Sequence, residues 1–356
     1  MIEQEDPRGE YIRLQLAAED RSQPLDRLRK LEQEAYALRR QHEQAWLGPL
    51  AEFVDPPRLR QSVAEPVEPN VDVTFRRGWI DRVVIQELTQ PLLTALSETA
   101  LAKLMRELDM SNNLGPSVFT AVDIGDLLIS QNVSNLRRLK LGCDVVNNFD
   151  TRSYCFSALL AERSPRLTHL ELDQDCVDAD ELLLTSFPNI ETLSITATLG
   201  VHTLNIPNTI TSHVPLRLEL FRQNTSWHGL KELHLDLPLL LSFTGLESFL
   251  QTPWTNLEYL TLRLPRFADS GLRALLASPL VRKLKGLDLC RCEITDAGAE
   301  ELVQHLYLAD LEYLNLDNNY LTIHGIQLLS EAGFDISEQQ LVPGAGGFNA
   351  GTEIPF

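Results

Sequence analysis

The stretch LEYLNLDNNYLTIHGIQLL, Leu311–Leu329, gathers Tyr, Asp, Asn and His within nineteen residues, an assortment that a hydrolytic site would also use. Its upstream neighbours decide against that reading. The pattern L-x-x-L-x-L opens the stretch at Leu311-Leu314-Leu316. It recurs at Leu284-Leu287-Leu289, Leu257-Leu260-Leu262 and Leu230-Leu233-Leu235, with starts 27 residues apart each time. Each copy leads into a helix-like segment with a glycine near its start: Gly325, Gly298, Gly271 and Gly245. Self-similarity at a fixed period of this size marks a chain built from one repeated supersecondary unit.

Upstream the copies are less regular. Leu136-Leu139-Leu141, Leu167-Leu170-Leu172 and Ile190-Leu193-Ile195 keep the pattern, and Ile80-Val83-Ile85 and Met105-Leu108-Met110 keep it with other apolar residues. Forty residues separate Ile190 from Leu230, room for either a degenerate repeat or an inserted hairpin. In each copy, strand alternation buries the three apolar positions and exposes the residues between them. One such face cannot be covered alone, so the units stack with their strands in parallel. The expectation is an α/β leucine-rich-repeat solenoid of about nine coils over residues 73–335. It is a horseshoe with strands on the concave face and helices outside, resembling the ribonuclease-inhibitor type. In the longer form L-x-x-L-x-L-x-x-N the last residue turns the chain out of the strand and bonds to backbone inside it. Asn319, Asn113 and Cys292 hold that position, and Asp144 and Asp175 stand near it.

Residues 1–72 read differently. SQPLDRLRKLEQEAYALRRQHEQAW spaces Leu25, Leu28, Leu31, Ala35, Leu38, His42 and Ala45 by three and four, the pattern of an amphipathic helix. Ser22 is the expected N-cap, with Pro24 in the first turn. The stripe fits packing within its own domain better than a coiled-coil seam. Glu52–Val73, rich in Pro and acid, reads as an irregular connector, and residues 336–356, with their Gly and Pro, as a tail.

Three signatures in this head carry a resemblance: Asp6-Pro7-Arg8-Gly9-Glu10 with Ile12-Arg13-Leu14-Gln15, Trp46-Leu47-Gly48-Pro49-Leu50, and Phe75-Arg76-Arg77-Gly78-Trp79. Together they resemble the repeat-companion domain that precedes leucine-rich repeats in a class of bacterial proteins. The resemblance implies a bacterial, intracellular, repeat-based protein and no particular chemistry. The family's earlier helix has no counterpart in this sequence. Trp46 and Trp79 are placed to make the head a cap over the first coil.

Composition narrows the function classes. The net charge of −19, with 50 acidic and 31 basic residues, argues against nucleic acid and anionic membrane surfaces. No apolar run approaches the roughly 20 residues that span a bilayer. The opening MIEQEDPRGE lacks the pattern of a signal peptide. Five cysteines, without zinc-ligand spacing, fit a reducing cytoplasm. Nucleophile-elbow, P-loop, dinucleotide-binding and H-E-x-x-H motifs are all missing. Neither a catalytic residue, a metal ligand nor a cofactor is therefore assigned. An enzyme would need a site in the irregular 196–229 segment, where His202, His213 or His228 could meet a carboxylate.

The better candidate for function is the exposed strand face, where acidic residues outnumber basic ones eight to four. The expected partner is a protein presenting basic residues. Its expected contacts are Tyr259, Tyr313, His234, Asp236, Arg263, Asp288, Asn315 and Asp317, with His169 and Glu171 on an earlier coil. Tyr259 and Tyr313 share a row with only Gly286 between them. With strands ~4.8 Å apart, the rings would stand about 10 Å from each other over a slot floored by glycine. The chain reads as a non-enzymatic scaffold or adaptor, or alternatively as a regulator of an enzyme or GTPase using the same face.

Overall fold

Asp6 and Pro7 start the chain's first helix. The computed structural model describes residues 6–54, 71–86, 88–111, 124–142, 156–173, 179–196, 215–237, 243–305, 308 and 311–334. By its internal packing the chain divides into two compact units, Met1–Leu172 and Asp173–Phe356. Asn113, Asp144, Asp175, His202, His213 and the tail from 336 onward lie outside the described residues.

In the first unit, α1 (Pro7–Ala18) is capped by Asp6, whose carboxylate accepts from the Arg8 amide at 2.9 Å and from the Arg8 guanidinium. Those hydrogen bonds hold the Asp6 carboxyl below its usual range. The folded-state value is thus lower than the unfolded one. The cap's contribution is complete above the unfolded value and fades as pH falls through the folded one. Asp6→Ala should lower stability by about 1 kcal/mol at neutral pH, and the difference from wild type should shrink in acid. Urea unfolding at pH 7 and at pH 3 checks both.

Helix α2 (Leu25–Leu47) returns against α1. Its start departs from the expected cap: Ser22 bonds to Asp20 at 2.7 Å, and Pro24 precedes the helix with no side-chain bond. Asp20, two residues back, offers the serine a stronger charged acceptor than the helix amides do. Of the seven stripe positions Leu31 and Ala35 are buried, Leu28, Leu38 and His42 half-buried, and Leu25 and Ala45 exposed, so the stripe is buried only in its middle, and Trp46 and Leu47, outside it, extend the inward face. Trp46 meets Tyr11 at 5.3 Å and Phe75 at 6.1 Å. A short helix, α3 (Ala51–Val54), follows.

The strand β1 (Val71–Arg76) runs antiparallel to β2 (Trp79–Ile85). Their turn places Arg77 and Gly78 at positive φ, 51° and 76°, the requirement of a two-residue hairpin whose twist matches the strands. The start of the solenoid set at residue 73 therefore falls inside a hairpin. The open edge of β1 is partly sealed by α1. The Gln15 amide donates to the Phe75 carbonyl at 3.2 Å and accepts from the Arg77 amide at 2.5 Å, standing in for a missing neighbour strand.

From β2 the chain is parallel. Helix α4 (Gln90–Glu98) leads to β3 (Glu107–Met110), α5 (Gly125–Ile129) to β4 (Arg138–Leu141), and α6 (Phe156–Arg163) to β5 (His169–Asp173). Val83, Leu108, Leu139 and Leu170 stand in one buried row, as their repeat positions require. Asn132, a residue the repeat pattern does not single out, ties coils together on the helix side. Its amide donates to the carbonyls of Leu96 and Thr99 at 2.7 and 3.1 Å.

The second unit repeats the arrangement. Its elements are α7 (Ala179–Leu184), β6 (Thr192–Thr196), β7 (Leu216–Arg217), α8 (Leu220–Gln223), β8 (Glu232–Asp236), β9 (Phe243–Thr244), α9 (Leu246–Leu250), β10 (Tyr259–Arg263), α10 (Ala268–Ala277), β11 (Gly286–Asp288), α11 (Asp296–Leu302), β12 (Tyr313–Asn315) and α12 (Ile323–Glu331). Strand β6 pairs directly with β8, Thr192 beside Glu232. Among the described residues, the long interval before Leu230 therefore places no strand between β6 and β8. Part of it, β7, pairs with β9 in a separate two-stranded ribbon. Trp227 from the same interval is fully buried against Phe187 and Phe221, and its indole N–H donates to the Leu183 carbonyl at 2.8 Å.

The 27-residue period is visible as a recurring bond. The residue before each strand donates to the same place one coil back: Glu258 to Lys231, Lys285 to Glu258, and Glu312 to Lys285, at 2.9, 2.7 and 2.8 Å. Asn319 takes the role its position predicted, buried and bonded four times to backbone. The glycines opening the helices leave room for a second ladder. Asp269 accepts from Thr295 and Asp296 from Thr322, through both amide and hydroxyl. A Cβ on Gly298 or Gly325 would stand only 2.5 or 2.3 Å from the carboxylate of Asp269 or Asp296. Within each unit the architecture is a leucine-rich-repeat-like stack of strand–helix coils.

Candidate functional site: the exposed strand face of the second unit

Strand register fixes which side chains of the second unit share a row. Glu232, Tyr259, Gly286 and Tyr313 form one row, and His234, Thr261, Asp288 and Asn315 the next. Beyond them stand Asp236 and Arg263. Seven of the ten predicted contact residues are thus brought onto one face of β8, β10, β11 and β12, and Asp317 stands in the turn after β12. His169 and Glu171 belong to the first unit, where His169 Nδ1 lies 2.8 Å from Thr168 Oγ1 and Glu171 pairs with Lys140 at 2.9 Å.

The expected slot between the tyrosines is filled. The Tyr259 ring lies over Gly286, with Cδ1 2.6 Å and Cε1 3.1 Å from where a Cβ would stand. Strand spacing places the two residues correctly but leaves the ring free to lean into the space that a side chain at position 286 would fill. The Tyr259 hydroxyl then donates to Glu312 Oε2 at 2.7 Å, a bond that raises the phenol above its ordinary range. Tyr313 keeps 50% of its surface exposed and is the protruding aromatic of this face.

Asp288 departs from its expected part. Alternation points it outward, yet only 4% of it is exposed, because Arg263 and Tyr313 close over it. Its carboxylate accepts from Arg263 Nη2 at 2.7 Å, the Cys290 amide at 2.9 Å, Asn315 at 3.3 Å and Tyr313 at 3.4 Å. It orders the residues that a partner could reach instead of meeting a partner itself. Asp236 binds Arg263 at 3.2 Å and Arg291 at 2.8 Å. The Asp288 carboxylate, first by its hydrogen bond and then by charge, raises the Arg263 guanidinium further above its already high range. His234 is set by Thr261 Oγ1, 2.9 Å from its Nδ1. Asp317 offers its amide to Asn315 at 2.8 Å and its carbonyl to Arg291 at 3.0 Å.

Arg291 and Glu312 are participants that alternation alone did not supply. Arg291 sits in the turn after β11 with φ of 59°, outside the strand pattern. Glu312 precedes its strand and reaches back over two coils. Chemistry of other kinds gains little here. Cys292 is buried, donates to the Leu262 carbonyl, and has its thiol pushed up to about 12 by burial. His228 lies 3.2 Å from the Phe221 carbonyl. Among the described residues no group of three His, Cys, Asp or Glu side chains could hold a metal ion. Among them, too, no helix is long and apolar enough to cross a membrane.

No protein-family model matches the chain, and no curated protein matches it. Among solved structures, a protein from Bacteroides fragilis is 17% identical over 71% of this chain and 51% of that one, with a TM-score of 0.31. An internalin from Listeria monocytogenes is 16% identical over 68% of each chain, also with a TM-score of 0.31. The chain spans about half the length of the Bacteroides protein.

Proposed function

We propose that this chain is a non-enzymatic scaffold or adaptor of the bacterial cytoplasm, and that a protein partner docks on the exposed strand face of its second unit. The observation that carries the reading is Tyr313: half-exposed, on a regular strand, with its hydroxyl held by the buried Asp288. An aromatic anchor that is already ordered loses little freedom on binding, which is the property of interface hot spots. Glu232 and Glu312 share this face. They favour a partner that presents basic residues and disfavour the phosphate backbone of nucleic acid.

The test replaces Tyr313 with a photo-crosslinking phenylalanine, and Glu300 on α11 with the same residue as a control. Irradiation in the native cell is expected to give one discrete adduct from position 313 and none from position 300. Adducts from 300 alone would move the docking surface elsewhere. The identity of the captured protein separates a scaffold from a regulator of an enzyme or GTPase.

A further inference from the structure

The strands of the first unit begin at a positive surface that the docking face does not use. Register places Arg82, Glu107, Arg138 and His169 in one row across β2 to β5. The residues just before them, Asp81, Arg106, Arg137 and Thr168, form a second row, linked amide to carbonyl one coil back at 2.8, 2.8 and 2.9 Å. Asp81 and Glu107 are the carboxylates of these two rows, and both are engaged. Arg106 donates to Asp81 at 2.7 Å, and Arg82 to Glu107 at 3.1 Å. Arg137 and Arg138 are exposed, and among the described residues neither guanidinium has a carboxylate within ion-pair distance. The lysines that precede strands in the second unit do have one: Lys231 pairs with Glu191 at 3.0 Å and Lys285 with Glu258 at 2.8 Å. Beside Arg137 stand Arg106 on one side and Thr168 on the other, so its row supplies no free acid. Like charges on adjacent strands repel, and an acidic group from outside would relieve them.

Arg166 extends the surface. Its Nη1 donates to Asn135 Oδ1 at 2.8 Å, and the Asn135 amide donates in turn to the Lys103 carbonyl at 2.8 Å. A neutral side chain thus orders this guanidinium and leaves its charge uncompensated. Leu104 holds the repeat position of Asn135 and Arg166 one coil earlier, and 45% of it is exposed. We propose that this surface binds an acidic protein segment that carries an apolar residue. Its carboxylates meet Arg137, Arg138 and Arg166, and its apolar side chain covers Leu104. Arginine's planar fork suits carboxylates. It suits phosphates equally, but nucleic acid and anionic membranes reach beyond the patch. They meet Asp109 and Glu171 on the next row and a chain of net charge −19. A short acidic segment meets the arginines alone, and salt screens the more distant carboxylates from it over ~8 Å.

The probes are a fluorescein-labelled peptide of glutamates interspersed with leucine, its glutamine counterpart, an oligothymidylate and phosphatidylserine vesicles, each titrated against the full chain. Anisotropy follows the first three, and co-sedimentation the vesicles. The glutamate peptide is expected to bind saturably and to weaken as salt rises, with the glutamine counterpart at least about tenfold weaker. Arg137→Gln/Arg138→Gln should weaken the glutamate peptide by about tenfold or more with circular dichroism unchanged, since both side chains are exposed. Arg166→Gln and Leu104→Ser should each cost about threefold. Lys231→Gln/Lys285→Gln removes the same charge from the second unit and should leave the affinity within about twofold. Absence of saturable binding of the glutamate peptide overturns the proposal. So does an equal loss in the lysine variant, unchanged affinity in the double arginine variant or in both single variants, or tighter binding of the oligothymidylate or the vesicles.

Discussion

Asn319→Ala is expected to destabilise the protein by about 3–4 kcal/mol, more than any substitution on the strand face, because each orphaned buried polar group costs about 1–3 kcal/mol. Asn319 is 2% exposed and uses its full side-chain capacity on backbone. It donates to the carbonyls of Leu289 and Leu316, both at 2.8 Å, and accepts from the amides of Cys292 and Ile294 at 2.9 and 3.0 Å. Alanine strands two donors and two acceptors in the interior between successive turns. Relaxation and entering water return part of the loss, which is why the estimate stays below the sum. Urea unfolding gives the total, and hydrogen exchange should show protection lost first at the amides of Cys292 and Ile294. A loss under about 1 kcal/mol would mean that the turn is held by its leucines alone.

Trp227→Ala is the second large effect, expected at about 4–5 kcal/mol from a cavity left by a fully buried ring. Trp227 is 0% exposed and lies 5.5 Å from Phe187 and 6.3 Å from Phe221, ring centre to ring centre. Its N–H also bonds Leu183 across coils at 2.8 Å. Trp227→Phe separates the two contributions. It refills most of the volume and loses the hydrogen bond, so it should cost about 1–2 kcal/mol. Equal losses in both variants would place the whole effect on the hydrogen bond.

Much of this fold could be read from residues alone because one constraint repeats. From Leu230 onward a 27-residue period puts each strand in the same register with the one before it, so the leucine rows, the exposed rows and the inward Asn319 follow together. What did not follow has physical reasons. Alternation sets the side of the sheet on which Asp288 emerges, not what closes over it, and Arg263 comes from the preceding coil. The same rule sets the Tyr259 row but not the lean of its ring toward Gly286. The interval before Leu230 is decided by long-range pairing of β6 with β8, to which local pattern is blind. The Asp–Thr ladder did leave a trace in FADSGLRALL, ITDAGAEELV and LTIHGIQLLS. Asp269 and Asp296 open the first two helices, and Ile323 takes that place in the third, where the ladder ends. The helix-side ties from Asn132 and Asn224 leave no such trace, since they occur outside the leucine motif.

The account rests most heavily on the exposed strand face of the second unit as the docking surface. The direct measurement is the affinity of the captured partner for Tyr259→Ala/Tyr313→Ala, beside a helix-side control, Glu300→Ala/Gln304→Ala, at low and high salt. The double tyrosine variant should bind at least about thirtyfold more weakly, the scale of a hot spot. The control should match wild type, and the wild-type on-rate should fall as salt rises. Unchanged affinity in a folded double tyrosine variant, or an equal loss in the control, would contradict the assignment of this face.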